Sequence, residues 1–339
     1  HTHIVFGGNR VAEFEMRALG ATYKDIALAG GGILSSVVST REASEDELIE
    51  SALKRLKRML DNGTTTVEIK SGYGLDTETE LKMLNSINRL RNRTPIDIVS
   101  TFLGAHAVPL EYHRNKQKYI RLMLDDMIKQ VADSNLAEFF DIFTEENYFD
   151  IPESRELINA AKKAGFKIKT HVDELSSMGG AELSAELGAI SADHLVTVSK
   201  NGISALKNSD TVAVILPGTS FFLSSKRYAP AREMIDAGVA VAVATDCNPG
   251  SCMIESLPLI ITITCLYCNM SPAEALTAAT LNSACALDRG DEIGTLEKGK
   301  LADIIIWNVN DYREIPYLFG VSAPEVVIKR GRIVKNNLN

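Results

Sequence analysis

Short runs of β-branched and other apolar residues alternate with longer amphipathic stretches along the middle of the chain, and this alternation limits the fold more than any other feature. Two parallel strands need a crossover connection between them, and a helix usually supplies it. The pattern therefore predicts repeated strand–helix units around a parallel sheet. The predicted strands span residues 65–70, 97–103, 139–144, 167–172, 192–196, 212–216 and 239–244.

The stretches between these strands have the periodicity of helices. Ser44 and Glu47 have the spacing of a capping box at the start of the first of them. Gly165 and Gly238 stand where a helix stops before the next strand, because glycine readily adopts the left-handed conformation needed there. The predicted helices span residues 44–61, 78–92, 116–134, 152–164, 180–188, 202–207, 229–237 and 272–287.

The number of units predicts how the sheet closes. Seven strands, together with an eighth that ends at His1, would complete a (β/α)8 barrel of the triosephosphate isomerase type. A doubly wound open sheet is the competing architecture, but no Gly-x-Gly-x-x-Gly motif follows an early strand. We therefore expect an α/β fold with a TIM-type barrel.

The pattern changes near Arg289. Residues 304–309 and 325–334 are apolar runs separated by turn residues, which is typical of antiparallel strands and hairpins. A chain of 339 residues is long enough for a second unit, since domains usually take roughly 100–200 residues. We expect a barrel domain over residues 1–290 and a small β-rich domain over residues 291–339.

Charge and hydropathy exclude several classes of partner. The chain has 36 Lys and Arg against 44 Asp and Glu, a formal charge of -8, so it lacks the basic field that attracts nucleic acid or anionic lipid. Its most apolar run, residues 257–265, is shorter than the ~20 residues of a membrane span and contains Pro258. The expected partner is a small-molecule substrate, with no nucleic acid and no membrane.

Cysteine usage predicts the cellular compartment. The five cysteines are odd in number and confined to the last third of the chain, unlike the framework of a disulfide-rich secreted domain. Cys265 and Cys268 have the spacing of a metal or redox pair, but they lie in an apolar helical stretch without a second pair, so we interpret them as core residues. A reducing cytoplasm is expected.

Histidine positions give the first indication of a functional site. Five of the six histidines stand at the C-terminal end of a predicted strand, the rim where barrel active sites form, and only His113 is interpreted as a surface residue. His1 and His3 alternate along an extended segment, so their side chains point to the same side. With His171 and Asp246 they form a nitrogen and oxygen donor set that suits zinc or a comparable first-row ion.

Two further charged residues fit chemistry at this rim. Glu174 stands three residues beyond His171, where a carboxylate beside an activated water can transfer a proton. Its alternative interpretation is a salt-bridge partner at the end of a loop. Arg10 follows a flexible glycine pair after the first strand, where a guanidinium can bind a substrate carboxylate through two hydrogen bonds. Taken alone, it would be an ordinary loop arginine.

Six short strings, spread in order over nearly the whole chain, carry a resemblance to a known family. They are FGGNR at 6–10, GGGI at 30–33, VEIKSGYGL at 67–75, HVDE at 171–174, ISADH at 190–194 and ATDCNPG at 244–250. With the His-x-His pair at the start, the chain resembles the imidazolonepropionase family within the metal-dependent amidohydrolase superfamily. The His-x-His pair and the Thr-Asp dipeptide are generic to the superfamily, whereas the Gly-Tyr string and Asp-Cys-Asn-Pro-Gly are close to specific for the family.

The resemblance implies an activity and a set of site residues. The activity is hydrolysis of the ring amide of 4-imidazolone-5-propanoate to N-formimino-L-glutamate, a step of histidine degradation. The implied metal ligands are His1, His3, His171 and Asp246. Glu174 and His194, with Asp246, would polarise the carbonyl and transfer protons. The implied substrate contacts are Arg10, Tyr23, Tyr73, His106, Glu174, Asn248, Gly250 and Ser251.

The resemblance also implies one metal ion, an assembly and a further segment. No lysine at a strand end is placed to be carboxylated and bridge two ions, since Lys70 belongs to a family string with a different role, so we expect one zinc or iron ion per chain. A homodimer is implied by the family. Members of the family have residues before the His-x-His pair that form the rest of a β-sandwich, so residues 291–339 are expected to be only its C-terminal part.

Other functions remain open at the level of sequence. A cyclic amidine or aromatic deaminase would use the same metal ligands, but a neutral nucleobase needs no arginine at position 10. A metal-binding barrel without activity would not need Glu174 and His194. Copper bound by a terminal His1 is a third alternative, disfavoured by the odd cysteine count and the missing export signal.

Overall fold

The computed structural model of the protein describes residues 1–21, 25–26, 30–321 and 323–338. Within these residues, seven parallel strands form one sheet in chain order, so each strand pairs with the next one along the chain. Their bounds are β1 Thr66–Lys70, β2 Asp97–Ala105, β3 Phe139–Thr144, β4 Lys167–Val172, β5 Ser191–His194, β6 Val212–Ile215 and β7 Val241–Val243. The predicted succession of strands is confirmed, although β5, β6 and β7 are shorter than expected.

Helices connect successive strands, as the parallel arrangement requires. Those between β1 and β7 span Thr77–Leu90, Lys116–Leu122, Ile128–Ser134, Ile151–Lys163, Gly180–Glu186, Lys200–Lys207, Pro217–Phe222 and Ala231–Ala237. Before β1 lie Val11–Ala18, Ile33–Glu42 and Glu45–Asp61, and after β7 lie Leu257–Tyr267, Pro272–Thr277, Ser283–Cys285 and Glu314–Tyr317. The capping box of Ser44 and Glu47 is present in full.

The helical regions differ from expectation in two respects. The helix expected over 116–134 contains a π-helical turn at Met123–Met127, and the last one contains another at Ala278–Asn282. The prediction did not include the helices Val11–Ala18, Ile33–Glu42, Pro217–Phe222 and Glu314–Tyr317. Among the described helices, none has the length and hydropathy needed to cross a membrane.

The first three residues lie between the two ends of the seven-stranded sheet. The carbonyl oxygen of Thr2 accepts a hydrogen bond from the amide of Lys70 in β1 (2.9 Å). On the other side, the amide of His3 donates to the carbonyl oxygen of Cys247 (2.9 Å), just beyond β7. Residues 1–3 therefore occupy the eighth position, as the expected barrel requires.

The barrel strands separate apolar from polar side chains by their alternation. In β1, Val67 and Ile69 belong to the main hydrophobic core, while Glu68 and Lys70 point to the opposite face of the sheet. Glu68 and Lys70 are 2% and 0% exposed, so this opposite face is also buried, in the interior of the barrel. Barrel interiors are usually filled by branched apolar residues, so this charged interior is unusual.

A second, antiparallel sheet follows the barrel in sequence, as predicted. It consists of β8 Ile304–Trp307, β9 Pro324–Lys329 and β10 Arg332–Asn336 among the described residues, with β9 in the centre. Lys329 and Arg330 contact Asp97, the first residue of β2, at 2.7 and 2.9 Å. The small sheet thus lies near the N-terminal ends of the barrel strands, away from the predicted site. The domain boundary at residue 290 stays a prediction.

Candidate active site

Four of the predicted polar side chains meet at the C-terminal ends of the barrel strands. Nε2 of His1 and Nε2 of His3 each lie 3.4 Å from Oδ1 of Asp246, which follows β7. Nε2 of His171, near the end of β4, lies 3.5 Å from Nε2 of His3. All four residues except His1 are less than 4% exposed, and the side chain of His1 is 1% exposed. The predicted ligand atoms therefore face one another in a buried space.

These spacings fit a bound metal ion. Nitrogen and oxygen atoms placed tetrahedrally about 2.1 Å from an ion are about 3.4 Å apart. Nε2 of His1 is buried without a hydrogen-bond partner in the described part of the chain, as a ligand atom would be. Three groupings with mutual distances within 4.8 Å share His1 among the described residues: one adds His3 and Asp246, another adds His171 and His194, and the third adds Glu68 and Asp193. These groups could bind a metal, and His194 is a neighbour of the predicted set.

Hydrogen bonds on the outer side of the ligands fix their orientation. Nδ1 of His1 donates to Oδ2 of Asp193 (2.5 Å). Nδ1 of His171 donates to Oδ1 of Asp141 (3.0 Å). Because a carboxylate only accepts, both rings carry a proton on Nδ1 and present the Nε2 lone pair to the centre.

A hydrogen bond on its outer side also fixes the orientation of the Asp246 carboxylate. The hydroxyl of Thr219 donates to its Oδ2 (2.6 Å), which leaves Oδ1 facing the histidines. Thr219 lies in the short helix Pro217–Phe222 that follows β6. The backbone of Asp246 is in the left-handed region at a φ of 49°, a conformation that costs free energy in a non-glycine residue and persists only where surrounding contacts enforce it.

The electrostatic environment favours a cation at this point. In the metal-free chain, burial and the charge of Lys70 lower the pKa of His1, but its contacts with Asp193 and Asp246 outweigh them and raise it to about 9. A bound metal ion would take the place of the proton on Nε2. Burial raises the pKa of Asp246, but its contacts with His1 and His3 overcome that effect and hold the pKa well below its usual range. Carboxylates thus surround the imidazoles and stabilise positive charge between them.

Glu174 and His194 stand together beside the donor set, with Nδ1 of His194 3.6 Å from Oε1 of Glu174. Burial raises the pKa of Glu174 to about 8, and the charges of Asp246 and Glu145 add to the shift. Burial lowers the pKa of His194 to about 4. At neutral pH, Glu174 therefore holds a proton while His194 is a neutral imidazole.

The loop that carries Glu174 is fixed on both sides. Glu145, which is 1% exposed, accepts hydrogen bonds from the amides of Leu175 (2.8 Å) and Ser176 (3.3 Å) and from the hydroxyl of Ser176. Asp173, on the other side, accepts hydrogen bonds from three backbone amides, one just before the helix Gly180–Glu186 and two at its start, the nearest at 3.0 Å. The position of Glu174 is therefore set by its neighbours.

Arg10 lies against the loop that follows Asp246. Its Nη2 donates to Oε2 of Glu13 (2.5 Å), and Oε1 of Glu13 accepts from the amide of Gly32 (3.1 Å). A Cβ atom at Gly250 would lie 1.9 Å from Nη1 of Arg10. Nε of Arg10 is buried without a hydrogen-bond partner within the described residues. The guanidinium is thus held in place while one of its donors remains available.

Asn248 gives this loop its shape. Its side-chain Oδ1 accepts hydrogen bonds from the amides of Gly250 (2.9 Å) and Ser251 (2.8 Å), and its Nδ2 donates to the carbonyl oxygen of Asp246 (2.7 Å). An Asn side chain that bonds to the backbone two and three residues on stabilises a turn. The three predicted substrate contacts on this loop are therefore close together and linked to Asp246.

Tyr73 and His106 line the side of the cluster near His3. The ring of His106 stacks on that of His3 at 5.1 Å, and the ring of Tyr73 lies 6.0 Å from that of His3. Nδ1 of His106 donates to the carbonyl oxygen of Gly72 (3.0 Å), so its Nε2 carries a lone pair. Burial and the nearby His3 lower the pKa of His106 to about 3, which keeps the ring neutral. Tyr23, another predicted contact, lies outside the described residues.

The protein is an eight-position barrel with a cluster of histidine and aspartate side chains at its rim. A comparison of its sequence with known families agrees with this arrangement. A family model described as the amidohydrolase family matches residues 1–334. The chain belongs to the amidohydrolase family. The predicted membership of this superfamily is confirmed.

Curated relatives of this amidohydrolase are named imidazolonepropionase. The protein from Geobacillus kaustophilus is 50% identical over 337 residues, which cover 99% of this chain and 79% of the relative. The protein from Alkaliphilus oremlandii is 49% identical over 334 residues, which cover 98% of this chain and 79% of the relative. The resemblance to imidazolonepropionases is confirmed.

Solved structures of other enzymes share the fold of this amidohydrolase. A 5-methylcytosine deaminase from Klebsiella pneumoniae superposes with a TM-score of 0.77 at 18% identity, covering 100% of this chain and 85% of the deaminase. An atrazine chlorohydrolase variant from Arthrobacter aurescens, complexed with zinc and atraton, superposes with a TM-score of 0.75 at 17% identity, covering 99% of this chain and 82% of the chlorohydrolase. The predicted TIM-type barrel is confirmed by this likeness.

Sequence reasoning missed the residues that hold the donors of this amidohydrolase in place. Asp141, Asp193 and Thr219 are buried and each contacts a predicted ligand. Asp193 lies in the ISADH string, directly before His194, and Asp141 interrupts an otherwise apolar predicted strand. A charged residue inside a buried strand is the signal that would have identified both carboxylates.

Proposed function

We propose that this amidohydrolase hydrolyses the ring amide of 4-imidazolone-5-propanoate to N-formimino-L-glutamate. Water adds to the ring carbonyl carbon, the bond from that carbon to the ring nitrogen breaks, and the nitrogen takes a proton. The observation that carries the proposal is Arg10, a buried guanidinium on the loop beside the histidine and aspartate cluster. The relatives named imidazolonepropionase support it.

A substrate with a carboxylate tail fits the Arg10 end of the site. Glu13 neutralises part of the guanidinium charge and fixes its orientation, and the unpartnered Nε remains for a ligand. The amide and hydroxyl groups of the loop from Asn248 to Ser251 lie beside it. A charge-assisted hydrogen bond from Arg10 to the propanoate would orient the ring towards the cluster.

A ring carbonyl fits the other end, where the donor set lies. His1, His3, His171 and Asp246 would hold one metal ion, which supplies an acidified water and polarises a carbonyl. Imidazole and carboxylate donors suit both zinc and iron, so we propose one ion of either kind. His194, neutral at pH 7, would donate a hydrogen bond to the carbonyl oxygen as negative charge develops there.

Glu174 is suited to move the proton that the reaction needs. Its raised pKa, about 8, lies close to neutral pH, where a carboxyl group can both take and give a proton. In its ionised form, which the positive charge of a bound metal ion would favour, it would accept a proton from the attacking water and then deliver it to the leaving ring nitrogen. Asp246, with its low pKa, stays ionised throughout.

The experiment that tests the proposal follows 4-imidazolone-5-propanoate by its ultraviolet absorbance and detects N-formimino-L-glutamate as product. Arg10→Ala should raise KM by about 10- to 100-fold, because a charge-assisted hydrogen bond contributes roughly 1.5–3 kcal/mol. The matched substrate is an imidazolone without the propanoate tail, on which the same substitution should have little effect. Equal turnover of the tail-less compound by the unsubstituted enzyme would contradict the proposal.

A deaminase of the same family would release ammonia from a cyclic amidine, so ammonia release from such a compound, without hydrolysis of the imidazolone, would favour the alternative. The homodimeric state stays a prediction of the resemblance, and the cytoplasmic location stays a prediction from cysteine usage. Gel filtration with light scattering measures the first of these.

A further inference from the structure

A single lysine lies at the centre of the charged interior of the barrel. Lys70, the last residue of β1, is 0% exposed. Its ammonium group donates to Oδ2 of Asp141 (2.6 Å) and to Oε1 of Glu68 (2.8 Å), and Oδ2 of Asp193 lies 3.7 Å away. Three buried carboxylates from three different strands thus surround one ammonium group.

Two of these carboxylates also hold predicted metal ligands. Asp141 accepts from Lys70 with Oδ2 and from His171 with Oδ1. Asp193 accepts from Nδ1 of His1 with the same Oδ2 that faces Lys70. Each carboxylate therefore connects Lys70 to a histidine on the opposite side of the interior.

The hydrogen bonds of the ammonium group fix the orientation of these carboxylates. A buried polar group that loses its partner is unstable and rotates towards another donor. Asp141 accepts from Lys70 on one oxygen and from His171 on the other, so the first bond holds the carboxylate in the orientation that the second one needs. A rotated Asp141 would no longer accept from Nδ1 of His171, and the ring could then turn its Nε2 away from the centre.

We propose that Lys70 is a positioning residue for the metal centre, which fixes His1 and His171 through Asp193 and Asp141. The inference rests on the proposed metal binding, but not on the identity of the substrate. Within the described residues, the ammonium group of Lys70 makes no hydrogen bond or ion pair with a predicted ligand or substrate contact, so its effect should appear first in metal affinity.

Lys169 provides a matched control within the same interior. It lies two residues before His171 in β4, is 1% exposed and carries the same charge. Its ammonium group donates to the carbonyl oxygen of Ala286 (2.6 Å) and lies 3.7 Å from Oε2 of Glu68. It makes no hydrogen bond to Asp141 or Asp193 in the described structure, although its charge also acts on Asp193 from a distance. Its loss therefore removes a buried charge but no direct contact of either carboxylate.

The test titrates the chelator-treated full chain with Zn²⁺ and with Co²⁺, and measures the dissociation constants and the visible spectrum of bound Co²⁺. Lys70→Met should weaken binding by about 10- to 100-fold, the usual effect of losing an outer contact of a ligand, and should alter the Co²⁺ spectrum. Lys70→Arg should restore part of the affinity. The dissociation constants of Lys169→Met should stay within about threefold of those of the unsubstituted protein.

A second comparison keeps the inference testable if Lys70→Met fails to fold. Lys70→Met/Asp141→Asn removes the ammonium group together with one of the carboxylates it holds. It should bind metal less tightly than Asp141→Asn, but by less than about 10-fold, because only the contact through Asp193 remains to be lost. Equal affinities and spectra for Lys70→Met and the unsubstituted protein, or an equal loss in Lys169→Met, would overturn the inference. A chain that binds no metal at all would overturn it as well, whereas inactivity on the imidazolone with the expected order of affinities would overturn only the proposed function.

Discussion

Gly250 makes room for Arg10: a Cβ atom at position 250 would lie 1.9 Å from Nη1 of the guanidinium, far inside contact distance. The two residues are distant in sequence, since Arg10 follows the first barrel segment and Gly250 follows β7. Their contact links the predicted carboxylate-binding residue to the loop that begins at Asp246.

Gly250→Ala should therefore displace Arg10 without touching the donor set. We expect KM for 4-imidazolone-5-propanoate to rise by about 10- to 100-fold, as for loss of a charge-assisted hydrogen bond, with a smaller change in kcat. Steady-state kinetics and elemental analysis of the same preparation measure this. An unchanged KM, or a loss of metal, would contradict the interpretation of Arg10.

Glu174→Gln should separate proton transfer from metal binding. The amide keeps the size of the side chain but cannot carry the proton, so kcat should fall by about 10²–10⁴-fold while the metal content stays unchanged. Asp246→Asn is the control and should reduce the metal content. If Glu174→Gln lost the metal and Asp246→Asn kept it, the two roles would have to be exchanged.

The raised pKa of Glu174 predicts a pH dependence of stability in the chelator-treated protein. The folded pKa, about 8, lies above the ordinary value of 4.5, so the folded chain binds this proton more tightly than the unfolded chain. The stability from this group is complete below about pH 4.5 and is lost as the pH rises to about 8. Glu174→Gln does not lose this stability. As the pH rises from about 4.5 to about 8, its free energy of unfolding should therefore increase relative to that of the unsubstituted protein.

Urea unfolding at about pH 5 and about pH 9 measures the difference, and Glu146→Gln, on a loop where the side chain is exposed, is the control. The sign of the change in relative stability between the two pH values decides the test. A Glu174→Gln protein that is less stable relative to the unsubstituted one at the higher pH would show that burial does not raise this pKa.

Thr219→Val should weaken the hold on Asp246 with little change of volume. The hydroxyl donates to a buried carboxylate, and such a bond contributes roughly 1.5–3 kcal/mol, so kcat/KM should fall by about 10-fold or more. Thr262→Val removes a hydroxyl that donates to the carbonyl of Pro316, away from the site, and should leave kcat/KM unchanged. Equal kinetics of the two variants would show that Thr219 has no part in orienting Asp246.

Much of the fold followed from local patterns in the sequence. The strand–helix alternation, the capping box at Ser44 and the change of pattern near Arg289 depend on neighbouring residues, and those features survive in the structure. The rim position of the histidines followed as well, because a residue at the C-terminal end of a parallel strand must face that side of a barrel. Strand ends were less accurate: β7 is Val241–Val243 and not 239–244, since pairing with β6 ends where the chain turns into the site.

The tertiary structure alone decided which residues serve the donor set. His1 and Asp193 are separated by 192 positions, yet their side chains form one hydrogen bond, because barrel closure places residues 1–3 beside the strand ends. In the sequence, Lys70 is one more residue of the VEIKSGYGL string, and only the pairing of strands in the barrel places it among buried carboxylates from β1, β3 and β5. Local periodicity determines on which face of the sheet a side chain lies, but only the closed barrel determines which other side chains it contacts there.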